Sequence, residues 1–356
     1  MSMKKVVVKI GSSILAPQGK IDTKFVRDFI KDVIAVEKDG RKVIIVSSGA
    51  IACGLSKLHY KKKPQDLNSL MALASLGQIV LMEIYTEHFK HYRKMCAQVL
   101  LTWDDFNNRI RYLNAKGTIN KLLELNITPI INENDTVASD EIKFGDNDRL
   151  SALVSDLVGA EMLIILSDIE GLLAPSGLIK EVENIDRRII RLAKREDKVF
   201  TSGGMVTKLE AAKIATLSGI KTVIANGKVD SVVSRIIKGE HLGTVFIPKK
   251  DIEKARKRWI AFGRKKKGKI FIDEGAKDAL ISHKKSLLAV GITEVEGSFL
   301  KGDTVEVVDR EGNIVGCGIV SYPSEELKKL KGKKLLREVI HRDNFVKEED
   351  NDKIRR

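Results

Sequence analysis

The sequence predicts an α/β three-layer sandwich, a mostly parallel central sheet between two layers of helices, followed by a small C-terminal β-barrel domain. Three observations carry that expectation. Over residues 1–248, short β-branched runs alternate with longer amphipathic stretches. The runs are continuously apolar, as strands covered on both faces must be. Beyond a basic stretch at 249–267 the pattern changes to short strands between turn signals, giving a second domain at 268–345 and a charged tail at 346–356.

The first strand is expected at 6–10 (Val-Val-Val-Lys-Ile), with an amphipathic helix at 23–39 after it. A strand at 43–47 precedes the long helical stretch 67–92, and a strand at 95–100 precedes the helix 109–125. The apolar run 128–132 is a strand, and 148–159 a helix opened by Asn and Asp, residues that cap helix starts. Residues 162–167 form a strand, 184–195 and 207–217 helices, and 222–225 a strand. In the second domain strands are expected at 269–272, 286–290, 304–308 and 316–320, separated by Lys301-Gly302-Asp303 and Arg310-Glu311-Gly312-Asn313. In parallel sheets ligands gather beyond the carboxyl ends of the strands, which locates a site before any motif is considered.

With 43% hydrophobic and 31% charged residues and only six prolines in 356, the chain can bury an ample core and needs neither disulfides nor a structural metal. Cys53, Cys96 and Cys317 are widely separated and match neither a disulfide framework nor a zinc spacing, so a reducing cytoplasm is the expected location. No run approaches the roughly 18 apolar residues of a membrane helix, the longest, such as Met162 to Leu166, being of strand length, and Lys9 breaks the apolar start after three residues. Neither export nor a membrane is expected. The net charge of +15 raises a nucleic-acid partner, but its distribution does not favour one. Residues 1–248 hold 36 basic and 29 acidic side chains, 249–269 hold 11 and 2, and 270–356 hold 16 and 17.

Several strand ends run into Gly and Ser. Lys9-Ile10-Gly11-Ser12-Ser13 closes the first strand and Ser47-Ser48-Gly49-Ala50-Ile51 the second, where glycine admits close backbone approach and a following helix start attracts anions. Lys9 stands in an otherwise apolar strand that emerges at the ligand edge, which suits a phosphate-binding lysine better than a snorkelling one. Thr201 to Lys208 (TSGGMVTK) brings a Thr and a Lys to a helix N-terminus, where a cation is disfavoured unless an anion binds. It is not a P-loop; the P-loop glycine spacing at 263–269 is accidental, because Ile270 replaces the required hydroxyl. Asn132-Glu133-Asn134-Asp135 and Gly145-Asp146-Asn147-Asp148-Arg149 form the densest polar cluster, more than capping explains, and suit a zwitterion. His88 and His91 lack metal-ligand neighbours and read as surface residues, and no Ser-His-Asp elbow is present.

In order and approximate spacing, VVVKIGSSIL, VSSGAIACG, INENDTVASDEIKFGDNDRLSA, SDIEGL and TSGGMVTK resemble the glutamate 5-kinase family, and GKIFIDEGAKDALI, KSLLAVGITEVEGSFLKGDTVEVVD and GIVSY resemble its PUA domain. The resemblance implies an amino acid kinase-like sandwich with a PUA-like barrel. It implies phosphoryl transfer from ATP, with Mg2+ carried by the nucleotide, to the γ-carboxylate of L-glutamate, the first step of proline biosynthesis. It places Lys9 and Lys208 on either side of the phosphoryl group with Asp148 holding both, and assigns Ser48, Asp135, Asn147 and Asn134 to the substrate. Nucleotide contacts carried over are Lys9, Gly11, Ser167, Asp168, Ser202, Gly203, Gly204, Met205, Val206, Thr207 and Lys208. Proline as feedback inhibitor and a homo-oligomer, dimer or tetramer, come with the family. The sequence departs from it in having Ser at Ser47 and Ser167 where Thr is usual, Val206 where Ser is frequent, and a shortened segment after Leu172.

Two alternatives stand beside this reading. One keeps the fold but phosphorylates another small carboxylate or a carbamate. The other is an RNA-binding or RNA-modifying protein acting through the PUA-like domain, which the near-neutral charge of that domain disfavours.

Overall fold

A computed structural model describes residues 3–60, 62–137, 147–196, 204–248, 266–333 and 338–348. The chain forms two compact units, one of Met1–Phe106 with Arg111–Lys249 and one of Asn107–Ile110 with Lys250–Arg356.

The first unit runs β1 (Lys5–Ile10), α1 (Ser12–Leu15), α2 (Thr23–Lys38), β2 (Lys42–Ser47), α3 (Ala50–Lys57), α4 (Leu67–Lys90), β3 (Cys96–Leu101), α5 (Trp103–Asn107), α6 (Arg109–Glu124), β4 (Thr128–Glu133), α7 (Asp148–Val158) and β5 (Met162–Ser167). It continues with β6 (Leu173–Ala174), β7 (Gly177–Leu178), β8 (Glu181–Val182), α8 (Arg187–Glu196), α9 (Met205–Leu217), β9 (Lys221–Asn226), α10 (Val232–Ile237) and β10 (Thr244–Phe246). Eight strands form one sheet in the order β3-β4-β2-β1-β5-β9-β10-β8. Strands β1 to β5 and β9 are parallel and β10 is antiparallel to β9. Each face has its own core. Val7, Ile44 and Ile165 pack with α6, α7 and α9, whereas Val6, Val8 and Ile10 pack with α2, α4 and α10. This is the two-sided burial that makes parallel strands apolar throughout.

The six strands and six helices expected in this unit are present, with no end moved by more than three residues. Elements α5, α10, β10 and the short β6–β8 were not expected, and the helix starts expected after Gly11 and Gly49 are α1 and α3. Element α3 packs backbone to backbone on α4 through two glycines. A Cβ on Gly77 would lie 1.8 Å from the Ala50 carbonyl oxygen, and one on Gly54 would lie 2.1 Å from that of Leu73. The shortened segment after Leu172 is the β6–β7 hairpin. Element α4 corrects the expectation that no segment is long and apolar enough to cross a membrane. An 18-residue window within its 24 residues passes that test by length and composition alone, because Ser75, Gln78 and Glu83 only interrupt the apolar run. Its Leu81, Tyr85 and Phe89 lie in the core.

The second unit contains β11 (Lys266–Ile272), α11 (Glu274–Ile281), β12 (Ile292–Gly297), β13 (Thr304–Val308), β14 (Ile314–Ile319), α12 (Ser324–Leu330) and β15 (Phe345–Lys347). Its five strands pair in the order β12-β11-β13-β14-β15 around a single core, with bulges that bend β11 and β13. Residues 286–290 are not the expected strand. Leu287 and Ala289 are buried and Leu288 and Val290 exposed, as in a half-buried strand, but the segment pairs through one isolated bridge, Leu287 to Ile340, and turns in a 3-10 helix over Ala289–Gly291 before β12 begins. The sheet ends at Lys347, past the expected limit at 345.

Candidate active site

The alternation of β1 determines where Lys9 goes. Val6, Val8 and Ile10 point to one core and Val7 to the other, so Lys9 shares the face of Val7, under α7 and α9. It pairs in register with Val46 of β2 and Ile165 of β5, and is only 2% exposed. Its ammonium forms an ion pair with Asp148 Oδ1. Asp148 is the first residue of α7, where the helix dipole favours a carboxylate, and it is fully buried. Its Oδ2 lies 3.3 Å from the Nζ of Lys208, in the first turns of α9, and accepts from the Thr207 hydroxyl at 3.0 Å. One carboxylate therefore gathers two buried ammonium groups, one oxygen each, at the carboxyl edge of the sheet. Such a concentration of positive charge in a dry site suits a polyanion.

Gly11 and Gly204 are the N-caps of α1 and α9. The Gly11 N–H donates to Leu166 O at 2.9 Å, and a Cβ there would come within 3.2 Å of that oxygen, so glycine keeps the exit of β1 close to β5. Beside it, Asp168 accepts from the hydroxyls of Ser13 at 2.9 Å and Ser167 at 3.1 Å. Burial acts to raise this carboxyl, but those hydroxyls, with a backbone N–H and the charge of Lys208, together hold it below the usual carboxylate range. Met205 is buried in the core and Val206 packs against it, so these two offer a ligand backbone rather than side chain. Ser202 and Gly203 lie outside the described residues.

A cleft of about 220 Å³ opens at the ends of β2 and β4, lined by Ser48, Gly49, Lys63, Asn132, Asp135 and Asn147 among others. Gly49, at φ +103°, is the N-cap of α3 and takes a backbone conformation that favours glycine. Burial pushes the Asp135 carboxyl up to about 6, while the charge of Lys63 pulls it down. Asn147 sits at the N-cap of α7, yet its side chain does not cap the helix. Its Nδ2 donates to Ser47 O at 2.6 Å and to Asn132 Oδ1 at 2.7 Å, and lies 3.4 Å from the Ser48 hydroxyl. Because Asn147 precedes Asp148, the cleft adjoins the lysine pair. The structure thus brings together Lys9, Gly11, Ser48, Asp135, Asn147, Asp148, Ser167, Asp168, Gly204, Thr207 and Lys208 along one sheet edge.

Asn134 is not among the cleft residues; its side chain accepts from the Thr136 hydroxyl. The Ser47 hydroxyl faces Tyr85 at 2.9 Å, behind the cleft. Sequence reasoning passed over Lys63 and Gln78 as site residues and left Asn132 as a member of a cluster. A signal existed for Gln78, an amide inside an apolar helix. The expectation that His88 is a surface residue is corrected, since it is partly buried and burial lowers its pKa. Among the described residues no group of three or more His, Cys, Asp or Glu could hold a metal ion.

Residues 4–226 match the amino acid kinase family and residues 268–341 match the PUA domain. The chain belongs to the amino acid kinase family and is a kinase, an enzyme of an ATP-using class. Its relatives narrow the branch to the glutamate 5-kinases. The glutamate 5-kinase of Caldanaerobacter subterraneus subsp. tengcongensis is 45% identical over 96% of this chain and 97% of that protein. That of Thermoanaerobacter pseudethanolicus is 44% identical over 96% and 97%, and that of Citrifermentans bemidjiense 43% over 97% of each.

Proposed function

We propose that this protein transfers the γ-phosphoryl group of ATP to the γ-carboxylate of L-glutamate, giving γ-glutamyl phosphate and ADP in the first step of proline biosynthesis. The observation that carries this reading is Asp148, whose two oxygens hold Lys9 and Lys208 beside a cleft that bears acceptor groups for an amino acid. A glutamate side chain, with a pKa near about 4.3, is ionised at neutral pH and needs no general base. The chemistry then requires alignment of the nucleophile and cancellation of charge on the transferring group. Lys9 and Lys208 supply the cations, and Asp148 keeps their ammonium groups in place. Asp135, Asn147 and Ser48 hold the amino acid, with Asn134 as a neighbour. The backbone at Gly11, Gly204, Met205 and Val206, with Ser167, Asp168 and Thr207, receives the nucleotide phosphates at two helix starts. Ser202 and Gly203 complete that set.

Magnesium enters with ATP and neutralises part of the phosphate charge. The same reading brings proline as a feedback inhibitor, a homo-oligomer of two or four chains, and a cytoplasmic setting, which three cysteines without a disulfide suit. The test is coupled ADP release with ATP-Mg and a panel of glutamate, aspartate, N-acetylglutamate and UMP. Glutamate alone should support turnover, and activity on another member without activity on glutamate overturns the assignment.

A further inference from the structure

We propose that Gln78 is a positioning residue for the amino-acid substrate: acting through Asn132, it sets the amide of Asn147 so that its carbonyl oxygen faces the cleft and the site reads a protonated α-amine. The inference rests on the assignment of the cleft to the amino acid.

The polarity of the amide chain is pinned at two backbone groups. Ser47 O can only accept, so Asn147 turns its Nδ2 to it at 2.6 Å. The Glu133 N–H can only donate, and it reaches Asn132 Oδ1 at 2.9 Å. Asn132 Oδ1 also accepts from Asn147 Nδ2 at 2.7 Å, which consumes the second proton of that amide. Asn132 Nδ2 must then point the other way, where Gln78 Oε1 accepts it at 2.8 Å. Gln78 Nε2 in turn donates to Gln98 Oε1 on the edge strand β3 at 3.0 Å. Each orientation follows from its neighbour, so the direction of every amide is dictated by the network.

The consequence lies at the inner end. Both Nδ2 protons of Asn147 are committed, and among the described residues nothing donates to its Oδ1. An acceptor in the cleft that Asp135 also lines matches an ammonium group, which has three protons to give. An N-acylated amine brings one N–H and no charge, and leaves an acceptor unmatched. Asn132 and Gln78 are both buried, so water cannot readily replace the glutamine. Without it, the Asn132 Nδ2 is a buried donor lacking an acceptor. Rotating the Asn132 amide to relieve that would set its NH2 against that of Asn147, donor against donor.

The experiment is steady-state kinetics on Gln78→Met and Gln78→Glu. The first removes the acceptor at similar size, whereas the second keeps an acceptor for Asn132. For Gln78→Met, KM for glutamate should rise about tenfold while KM for ATP stays within about twofold and kcat within about threefold. The preference for glutamate over N-acetylglutamate should shrink with it. Gln78→Glu should return KM for glutamate to within about threefold of the parent. Gln78→Leu gives the same test if the methionine variant does not fold. A folded apolar variant with the parent KM, an equal rise in both KM values, or a glutamate variant as impaired as the methionine one would overturn the proposal. A parent without glutamate-dependent ADP release overturns the functional assignment itself, and the inference with it, whatever the variants do.

Discussion

Replacing Asp135 with asparagine should make the unliganded protein more stable and the enzyme poorer. Burial in the cleft raises this carboxyl from 3.8 to about 6, against the pull of Lys63. A folded-state pKa above the unfolded one means that the ionised form is disfavoured by folding. The cost is absent below pH 3.8, grows across the interval to pH 6, and is present in full above it. Its ceiling at pH 8 is about 3 kcal/mol, and water in the open cleft reduces the expectation to about 1–2 kcal/mol. The asparagine amide carries no charge at any of these pH values, so Asp135→Asn should gain that amount, which is about 2–4 °C in melting temperature per kcal/mol for a unit of this size. Thermal melts of parent and variant at pH 8 and pH 4 test it, and the gain at pH 8 should disappear at pH 4. Kinetics supply the second half. KM for glutamate should rise about 30-fold or more, as expected for losing a charge-assisted contact to the ammonium. The parent KM should climb as pH falls through 6, while that of the variant does not follow this titration. A variant less stable at pH 8, a gain equal at both pH values, or an unchanged KM would refute the reasoning.

Lys9→Met and Lys208→Met should each lower kcat by about 10²–10³ while KM for glutamate moves by less than about threefold, because their charge is needed most in the transition state; steady-state kinetics decide it. Asp148→Asn removes the carboxylate that gathers two buried ammonium groups and should cost about 3–5 kcal/mol of stability, read from the denaturation midpoint. Gly77→Ala places a Cβ against the Ala50 carbonyl and the Gly54 N–H, forcing α3 away from α4. A loss of about 1–3 kcal/mol in denaturation and a raised KM for glutamate should follow, since α3 starts at the rim of the cleft.

Local chemistry made part of this legible. Lys9 stands out because an apolar strand has no structural use for an ammonium, and the alternation of β1 shows which face it shares. The polar run from Asn132 to Asp135 exceeds what capping requires. Its partner Asp148 was visible as a helix start, but its pairing with both lysines depends on β1 lying between β2 and β5, an order that no local pattern encodes. The helix start of α3 was visible after Gly49, but its close packing on α4 through Gly54 and Gly77 was not, because both glycines read as ordinary helix residues until the two helices meet. The strand expected at 286–290 has the alternation of one, but the chain turns over Ala289–Gly291 and pairs only through a bridge from Leu287 to Ile340, and a local pattern does not reveal a missing ladder. Gln78 shows the limit most clearly. Its partners Asn132 and Gln98 come from strands β4 and β3, and only the folded sheet brings all three together.

The central claim is that the Lys9–Asp148–Lys208 cluster directs phosphoryl transfer to a glutamate carboxylate in the neighbouring cleft. The most direct measurement incubates the protein with ATP-Mg, L-glutamate and hydroxylamine, and follows ADP release together with the trapped product. ADP and γ-glutamyl hydroxamate appearing in equal amounts, both formed about 10²–10³-fold more slowly in Lys208→Met, is the predicted result. ADP release without hydroxamate, or hydroxamate formation undiminished in Lys208→Met, would contradict it.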